Sequence, residues 1–429
     1  MATIPPETNE GREGPNILVL GIGSFAHATT GILREEGGRV WTYLTRDYGR
    51  FPPSLTSTTL TPDQVPNPAT IVRDQGIDLI IPMSIDWARA PWAQDLIDTG
   101  VPIFCPQGDA LRIERERDFA RELCERYGAP YPRSYVAHNR LDAEAILDRD
   151  ARPFVIKNPL CAPGSPIHTI VCDSVESTRN WLGRIDYSEG AFLQEYLGQA
   201  EAGHLALIRD GDIVSLATNQ EYKKAFTGNM GVTAGAPLGG ILHADPQDRY
   251  GIAKQTLWPL RDWFREIGYR GPIQVTAIWR DDQWQVIEYN SRTGVTASAM
   301  LFRQLRRPAS DIAAFLRGED VSFERRPDRE FGVSLTLAGY GYPYVQLEGP
   351  DLPVFVEDGP EADIWWNEAR KDEEGRMWAT GHRIADVVAM DKELDAARRS
   401  AYATIGRLRS PGAYYRTDIA QTLWPPGTV

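Results

Sequence analysis

Val286–Gly294 reads V-I-E-Y-N-S-R-T-G and is the stretch richest in chemical potential. In an extended chain, side chains alternate between faces. Glu288, Asn290 and Arg292 are therefore expected in one row, neighbours ~6.6 Å apart. Glu and Asn offer hard oxygens to Mg²⁺, a cation held by few protein ligands plus phosphates. Arg292 can fork onto a phosphate or a carboxylate. A metal–polyphosphate site fits these three types in this order. A sheet edge with a solvated polar face fits them too. Two other stretches carry cations in unusual settings. Phe154–Lys157 is an apolar run ending in lysine, and a buried ammonium must find a partner, phosphate or carboxylate. Lys223 and Lys224 stand in Gln220–Gly240 beside five glycines. That segment reads as a loop unable to pack a core, which either wraps an anionic ligand or moves.

Elements must hold these residues in place. Ile273–Trp279, the polar Asp281-Asp282 turn and the Glu288 run read as a β-hairpin. Leu205–Arg209, Asp210-Gly211 and Ile213–Ala217 read as another, with a strong turn signal. Phe192–Leu197 is a further strand, and Ile167–Cys172 the return strand for Phe154–Lys157. Asp109–Gly128 and Asp248–Ile267 read as amphipathic helices, the first capped by Gly128. Asn16–Leu20 is a buried parallel strand leading through Gly21–His27 into a helix, a turn that favours an anion. Val40–Leu44, Ile77–Pro82 and Pro102–Cys105 as strands, with Ala88–Thr99 as helix, complete a doubly wound domain. His27 serves either a ligand or the local backbone. A lone G-x-G is weak support for a dinucleotide site. Towards the carboxyl end, Phe331–Ala338 and Val354–Val356 are strands and Glu393–Arg407 is a helix with one apolar stripe. Trp365 and Trp366 read as core, or as an aromatic platform. Arg416 and Asp418 read as a surface ion pair worth little.

The 429 residues suggest roughly three domains. A net charge of −13 argues against nucleic-acid or anionic-membrane surfaces. Four cysteines without a C-x-x-C pair favour a reducing cytoplasm over a disulfide framework or zinc site. Residues 1–14 read as a frayed leader without a signal-peptide pattern, and no apolar run of membrane-spanning length is present.

Taken in order, these motifs resemble the glycinamide ribonucleotide synthetase family (phosphoribosylamine–glycine ligase) of ATP-grasp enzymes. Gly21–His27 is similar to its G-x-G-G-R-E-H, and Gly100–Pro106 to its G-x-P-x-F-G-P. Gln220–Gly231 is similar to Q-D-H-K-R-A-F-D-G-D-x-G, and Val286–Gly294 to V-I-E-F-N-C-R-F-G. Ala379–Ile384 and Ala396–Ile419 resemble its carboxyl-terminal domain. The resemblance implies an ATP-grasp fold of α/β and α+β class. Residues 15–106 would be a doubly wound amino-terminal domain, 107–325 the ATP-grasp domain with a lid near 130–192, and 326–429 an α+β domain.

It also implies ATP with Mg²⁺, or Mn²⁺, as cofactors, and a small-molecule carboxylic acid and an amine as substrates. Glu288 and Asn290 would hold the metal. Lys157 would contact ATP phosphates, and Arg117 stands where the family has a phosphate-binding Lys. Backbone groups of Glu195 and Leu197 would read adenine, and Glu201 the ribose hydroxyls. Arg292 would stabilise the carboxylate as it becomes an acyl phosphate, and the Lys223 loop would close on the substrates. Gly23, His27, Asp86 and Lys224 are the candidate substrate contacts. The implied protein is a cytoplasmic monomer or homodimer with no nucleic-acid or membrane partner.

Three departures stand out. The lid G-K-G is Pro163-Gly164-Ser165-Pro166; R-F-G-D-P-E is Arg292–Ala297; G-P-E-A-P is Met83–Trp87, with bulky Trp87 and Trp92 added. Metal and nucleotide pieces persist while substrate-facing pieces change. That pattern predicts an amide-forming ligase of a specialised small-molecule pathway. The alternatives are a genuine phosphoribosylamine–glycine ligase of purine biosynthesis and a catalytically silent nucleotide-binding protein.

Overall fold

A computed structural model describes residues 14–22, 26–46, 51–162, 164–199, 201–344 and 350–421. The chain divides into two compact units. Almost all of the predicted leader, and Gly23 of the glycine turn, lie outside the described residues. No described helix is long and apolar enough to cross a membrane.

The first unit holds the described residues up to Cys105, Asn219–Ala244 and those from Arg292 onward. Its parallel sheet runs Thr58–Leu60, Val40–Arg46, Ile17–Ile22, Leu79–Pro82. Ile17, Leu18, Val19 and Leu20 are all buried, as a strand covered on both faces requires. Two expectations fail here. Ala88–Thr99 is not one helix: a 3₁₀ turn, Ile85–Arg89, ends before Pro91, and a short helix, Ala93–Ile97, follows. Proline has no N–H to continue the ladder. Pro102–Cys105 contributes only the single bridge between Ile80 and Ile103.

The same unit has antiparallel strands in the order Gly239–Ala244, Phe331–Ala338, Arg383–Asp391, Asp363–Trp366. Helix Leu394–Ile405 lays Ala397, Ala401 and Ile405 into their core. The glycine-rich segment is not a loop. Lys224–Phe226 pairs with Met230–Thr233 as a hairpin. Tyr222, Ala225, Ala234 and Leu238 around it are buried, so it does pack a core.

The second unit holds Pro106–Thr218 and Asp245–Ser291. One sheet runs Ser134–Ala137, Ala191–Glu195, Phe154–Lys157, Ile170–Val171, with its own core around Phe154, Ile156 and Leu193. Another places Gln283–Asn290 beside Arg270–Arg280, then Glu201–Arg209, then Asp212–Glu221, which leaves the unit after Thr218. Both predicted turns form. Asp281 and Asp282 have φ of 53° and 59°, Asp210 and Gly211 51° and 91°. Two-residue hairpin turns of type I′ need positive φ at both positions, which Asp and Gly tolerate.

Both long helices expected in this unit are broken. Asp109–Gly128 is a 3₁₀ turn, a short helix Arg112–Arg115, an extended Glu116 (φ −120°, ψ 103°) and a helix Arg117–Tyr127. Glu116 bridges to Leu160, and the Arg117 N–H donates to the Pro159 carbonyl at 3.1 Å. Asp248–Ile267 splits into Ile252–Thr256, Trp258–Leu260 and Arg261–Glu266 around Pro259.

Candidate functional site

On the late hairpin, Thr276 faces Glu288 and Gln274 faces Asn290. The register slips at Thr276/Ala277, leaving Ile287 as an extra residue. A bulge of this kind bends the strand locally. Glu288 and Asn290 still share a face, both half-buried. Tyr289 between them is buried; its hydroxyl donates to the Thr256 carbonyl at 2.8 Å. The Asn290 amide makes no hydrogen bond among the described residues. The expected row does not extend to Arg292. The strand ends at Asn290, and the Ser291 N–H turns to the buried Glu114 carboxylate at 2.5 Å.

Lys157 is buried at the end of its strand. Its ammonium donates to Gln194 Oε1 at 2.8 Å and to the Ile287 carbonyl at 3.1 Å. It thereby ties one sheet to the hairpin residue next to Glu288. Arg117 gains its place from the helix break: Nε donates to the Asn158 carbonyl at 2.9 Å, and Nη2 approaches Cys161 Sγ at 3.6 Å. Asn158 in turn donates to Glu189 Oε2 at 2.7 Å. The described part of the altered lid loop is therefore pinned at its base.

The Glu195 carboxylate takes Arg152 Nη1 at 2.8 Å, and its N–H donates to the Arg133 carbonyl at 2.8 Å. The Glu195 N–H, one of the backbone groups expected to read adenine, is therefore engaged within the protein. Glu195 and Leu197 help line a cavity of about 660 Å³ with Arg133, Arg152 and Arg280. Glu201 is half-buried and starts its strand opposite Ile278. Arg117, Lys157, Glu195, Leu197, Glu201, Glu288 and Asn290 all belong to this one unit.

The remaining described candidates belong to the other unit, in separate places. Lys223 precedes the hairpin, its ammonium 4.0 Å from Glu221. Lys224 faces Thr233 across it. The Arg416–Asp418 pair corrects a sequence expectation: Arg416 is 1% exposed. It bonds Asp418 at 2.9 and 2.6 Å, the Lys224 carbonyl at 2.9 Å and Asn229 Oδ1 at 2.8 Å, and lies over the Tyr222 ring. His27 is buried, with Nδ1 accepting the Trp366 N–H at 2.9 Å and Trp365 meeting the ring edge-on. Burial pushes its pKa down to about 4. Of the two tryptophans, Trp365 is buried and Trp366 half-buried against the core. Asp86 Oδ2 accepts from Ser84 Oγ at 2.7 Å, beside a cavity of about 340 Å³ lined by Tyr43, Trp87 and Trp92.

One cluster had no sequence signal. His204, Asp245 and Asp248 bring ligand-type atoms within 4.8 Å of one another. Asp245 and Asp248 share one turn, the Asp248 N–H donating to the Asp245 carbonyl at 3.3 Å, while His204 joins them only through the fold, 3.9 and 3.8 Å from their carboxylates. Asp245 accepts from Thr218 Oγ1 and the Arg249 N–H, and Asp248 from the Ala253 and Lys254 N–H groups. These bonds anchor the start of helix Ile252–Thr256.

Comparison with known proteins places this geometry in context. Residues 332–422 match the family model for phosphoribosylglycinamide synthetase, C domain. A phosphoribosylamine–glycine ligase of Streptomyces coelicolor is 27% identical over 75% of this chain and 79% of its own. Its counterpart in Leifsonia xyli is 28% identical over 94% and 99%. The phosphoribosylamine–glycine ligase structure from Thermotoga maritima superposes with a TM-score of 0.74 at 20% identity, covering 94% of this chain and all of that one. A biotin carboxylase domain of Hydrogenobacter thermophilus, solved with MgADP, gives 0.66 at 13% identity, covering 94% and 91%. The architecture is the ATP-grasp fold.

Proposed function

Since the chain is an ATP-grasp carboxylate–amine ligase resembling phosphoribosylamine–glycine ligase, we propose that it joins glycine to phosphoribosylamine. The relatives speak for these substrates rather than for the specialised pathway that the altered motifs suggested. The observation carrying the chemistry is the half-buried Glu288–Asn290 pair, with the Lys157 ammonium bonded to the adjacent Ile287 carbonyl.

These residues fit a magnesium nucleotide. Both donors are hard oxygens on one strand face, and the Asn290 amide has no competing partner among the described residues. Mn²⁺ suits the same set. The bound ion would neutralise phosphate charge. Lys157 and Arg117 would hold positive charge toward the phosphates from fixed positions, so little reorganisation is needed as charge shifts. Leu197, the free atoms of Glu195, and Glu201 would locate the nucleoside. Arg292 would orient the acid for phosphorylation, and Lys223 and Lys224 would screen substrate anions. Asp86 and Gly23 would contact substrate from the amino-terminal strand ends. His27, neutral and bonded to Trp366, would act by position.

The test is phosphate release from ATP with Mg²⁺, glycine and freshly generated phosphoribosylamine, paired with rescue of a purine auxotroph lacking this step. Failure of both, with turnover on another acid and amine, would sink the assignment. That outcome is the second reading. It is favoured by the aromatic walls of the Asp86 cavity, which suit a flat group better than a sugar phosphate.

A further inference from the structure

A second polar cavity, of about 450 Å³, opens in the first unit between the end of helix Ala26–Arg34, the corner 302–310 and the segment before strand Phe331–Ala338. Its size falls in the range of roughly 300–1,000 Å³ typical of small-molecule sites. Arg303, Arg306, Arg307, Arg326 and Arg329 line it, against only Glu35 and Glu36. Both carboxylates are committed. Glu35 takes Arg303 Nη1 at 2.6 Å, while Asp363 takes its Nε at 2.7 Å. Glu36 accepts the Ala309 and Ser310 N–H groups and the Ser310 hydroxyl, capping helix Pro308–Arg317.

The other guanidinium groups are poorly neutralised. Arg326 Nε donates to the Leu305 carbonyl at 3.3 Å, and Arg329 Nη1 to the Arg303 carbonyl at 3.0 Å. These are dipoles, not charges. Arg329 lies 3.8 Å from Asp328, and Arg306 3.8 Å from Glu324. The Arg307 side chain makes no hydrogen bond among the described residues; its charge acts on Asp311, whose carboxyl burial raises and this charge draws down. Burial, then repulsion from Arg326 and Arg303, draws the half-buried Arg329 below its usual pKa. Arginine stays charged under such conditions, so the wall keeps a positive excess within a chain of net charge −13.

We propose that this cavity binds the phosphate group of a phosphorylated small molecule, through forked contacts from Arg326, Arg329 and Arg307. A phosphate monoester offers three acceptor oxygens and up to two charges, which a lone carboxylate cannot match. Two sources share this chemistry: the phosphate of the amine substrate, which rests on the proposed ligase reading, and a phosphorylated effector, which does not.

The probe is ribose 5-phosphate, titrated calorimetrically into the full chain without ATP, with inorganic phosphate and unphosphorylated ribose alongside. Binding is expected for both phosphates and not for ribose. Arg329→Gln should weaken it at least about tenfold, the loss of one charge-assisted bond. Arg307→Gln, at an exposed residue that makes no hydrogen bond among the described residues and acts on Asp311 only through its charge, should weaken it with little change in melting temperature, which covers a folding failure of Arg329→Gln. Competition of ribose 5-phosphate with the amine in steady state assigns the phosphate to substrate. A change in kcat without competition assigns it to an effector. Absent binding of either phosphate, or equal affinity in both variants, overturns the proposal. Since titration needs no turnover, that failure is separable from a failure of the ligase reading.

Discussion

Arg416→Met should be among the most damaging single changes outside the metal-type pair. The side chain is 1% exposed and bonds Asp418, the Lys224 carbonyl and Asn229. Methionine keeps much of the volume and removes every bond. Asp418 stays behind with the Gly228 N–H at 2.9 Å. Burial raises the Asp418 carboxyl, but the Arg416 and Gly228 bonds outweigh this and hold it below its usual range. Breaking one partner of a buried pair typically costs about 3–5 kcal/mol. Urea unfolding of wild type, Arg416→Met, Asp418→Asn and the double variant gives the cost and the coupling. The double variant should recover part of the loss, because no stranded carboxylate remains. A loss under about 1 kcal/mol, the value of an exposed pair, would refute the reasoning. The same variant should lower kcat/KM, since Lys224 and Asn229 lose the anchor of their hairpin.

Three further outcomes are expected. Burial holds His27 near pKa 4 against an ordinary 6.5, so the folded state binds fewer protons between those values. Its stabilisation is complete above pH 6.5 and is lost as pH falls towards 4, by about 3 kcal/mol. Thermal melts at pH 7.5 and 4.5 should show a smaller drop in His27→Gln than in wild type; equal drops would exclude the effect. Glu288→Gln and Asn290→Ala should each abolish ATP turnover with an unchanged circular dichroism spectrum, and near-normal turnover in either removes the metal assignment. Arg292→Lys should lose most of kcat, because an ammonium cannot fork; full kcat would end the acyl-phosphate role.

Local rules reached the hairpins but not the breaks. Asp281-Asp282 and Asp210-Gly211 declare their turns within two residues, and both form. Nothing local marks Glu116 as a break: the apolar spacing runs on through it. Its extended backbone is set by Leu160 and Pro159, more than forty residues away in sequence. Glycine content misled in another way. Gly228 and Gly231 do carry positive φ in the hairpin, at 74° and 82°. Gly239 does not: a Cβ there would lie 2.6 Å from the Ser334 carbonyl oxygen. That glycine marks strands packed too closely for a side chain, not mobility.

The candidate site divides along the same line. Glu288 and Asn290 were legible because their relation is i, i+2 on one strand, a fact of local geometry. The cations were legible only as questions, since a buried charge must be answered by something. For Arg117, Lys157 and Arg416 the answers include carbonyl oxygens 41, 130 and 192 residues away. Carbonyl dipoles hold such a group in place without cancelling its charge. The Gln194 and Ile287 oxygens hold the Lys157 ammonium at a fixed place beside Glu288. Arg326 and Arg329 in the second cavity are seated in the same way, on the Leu305 and Arg303 carbonyls, with Asp328 3.8 Å from Arg329.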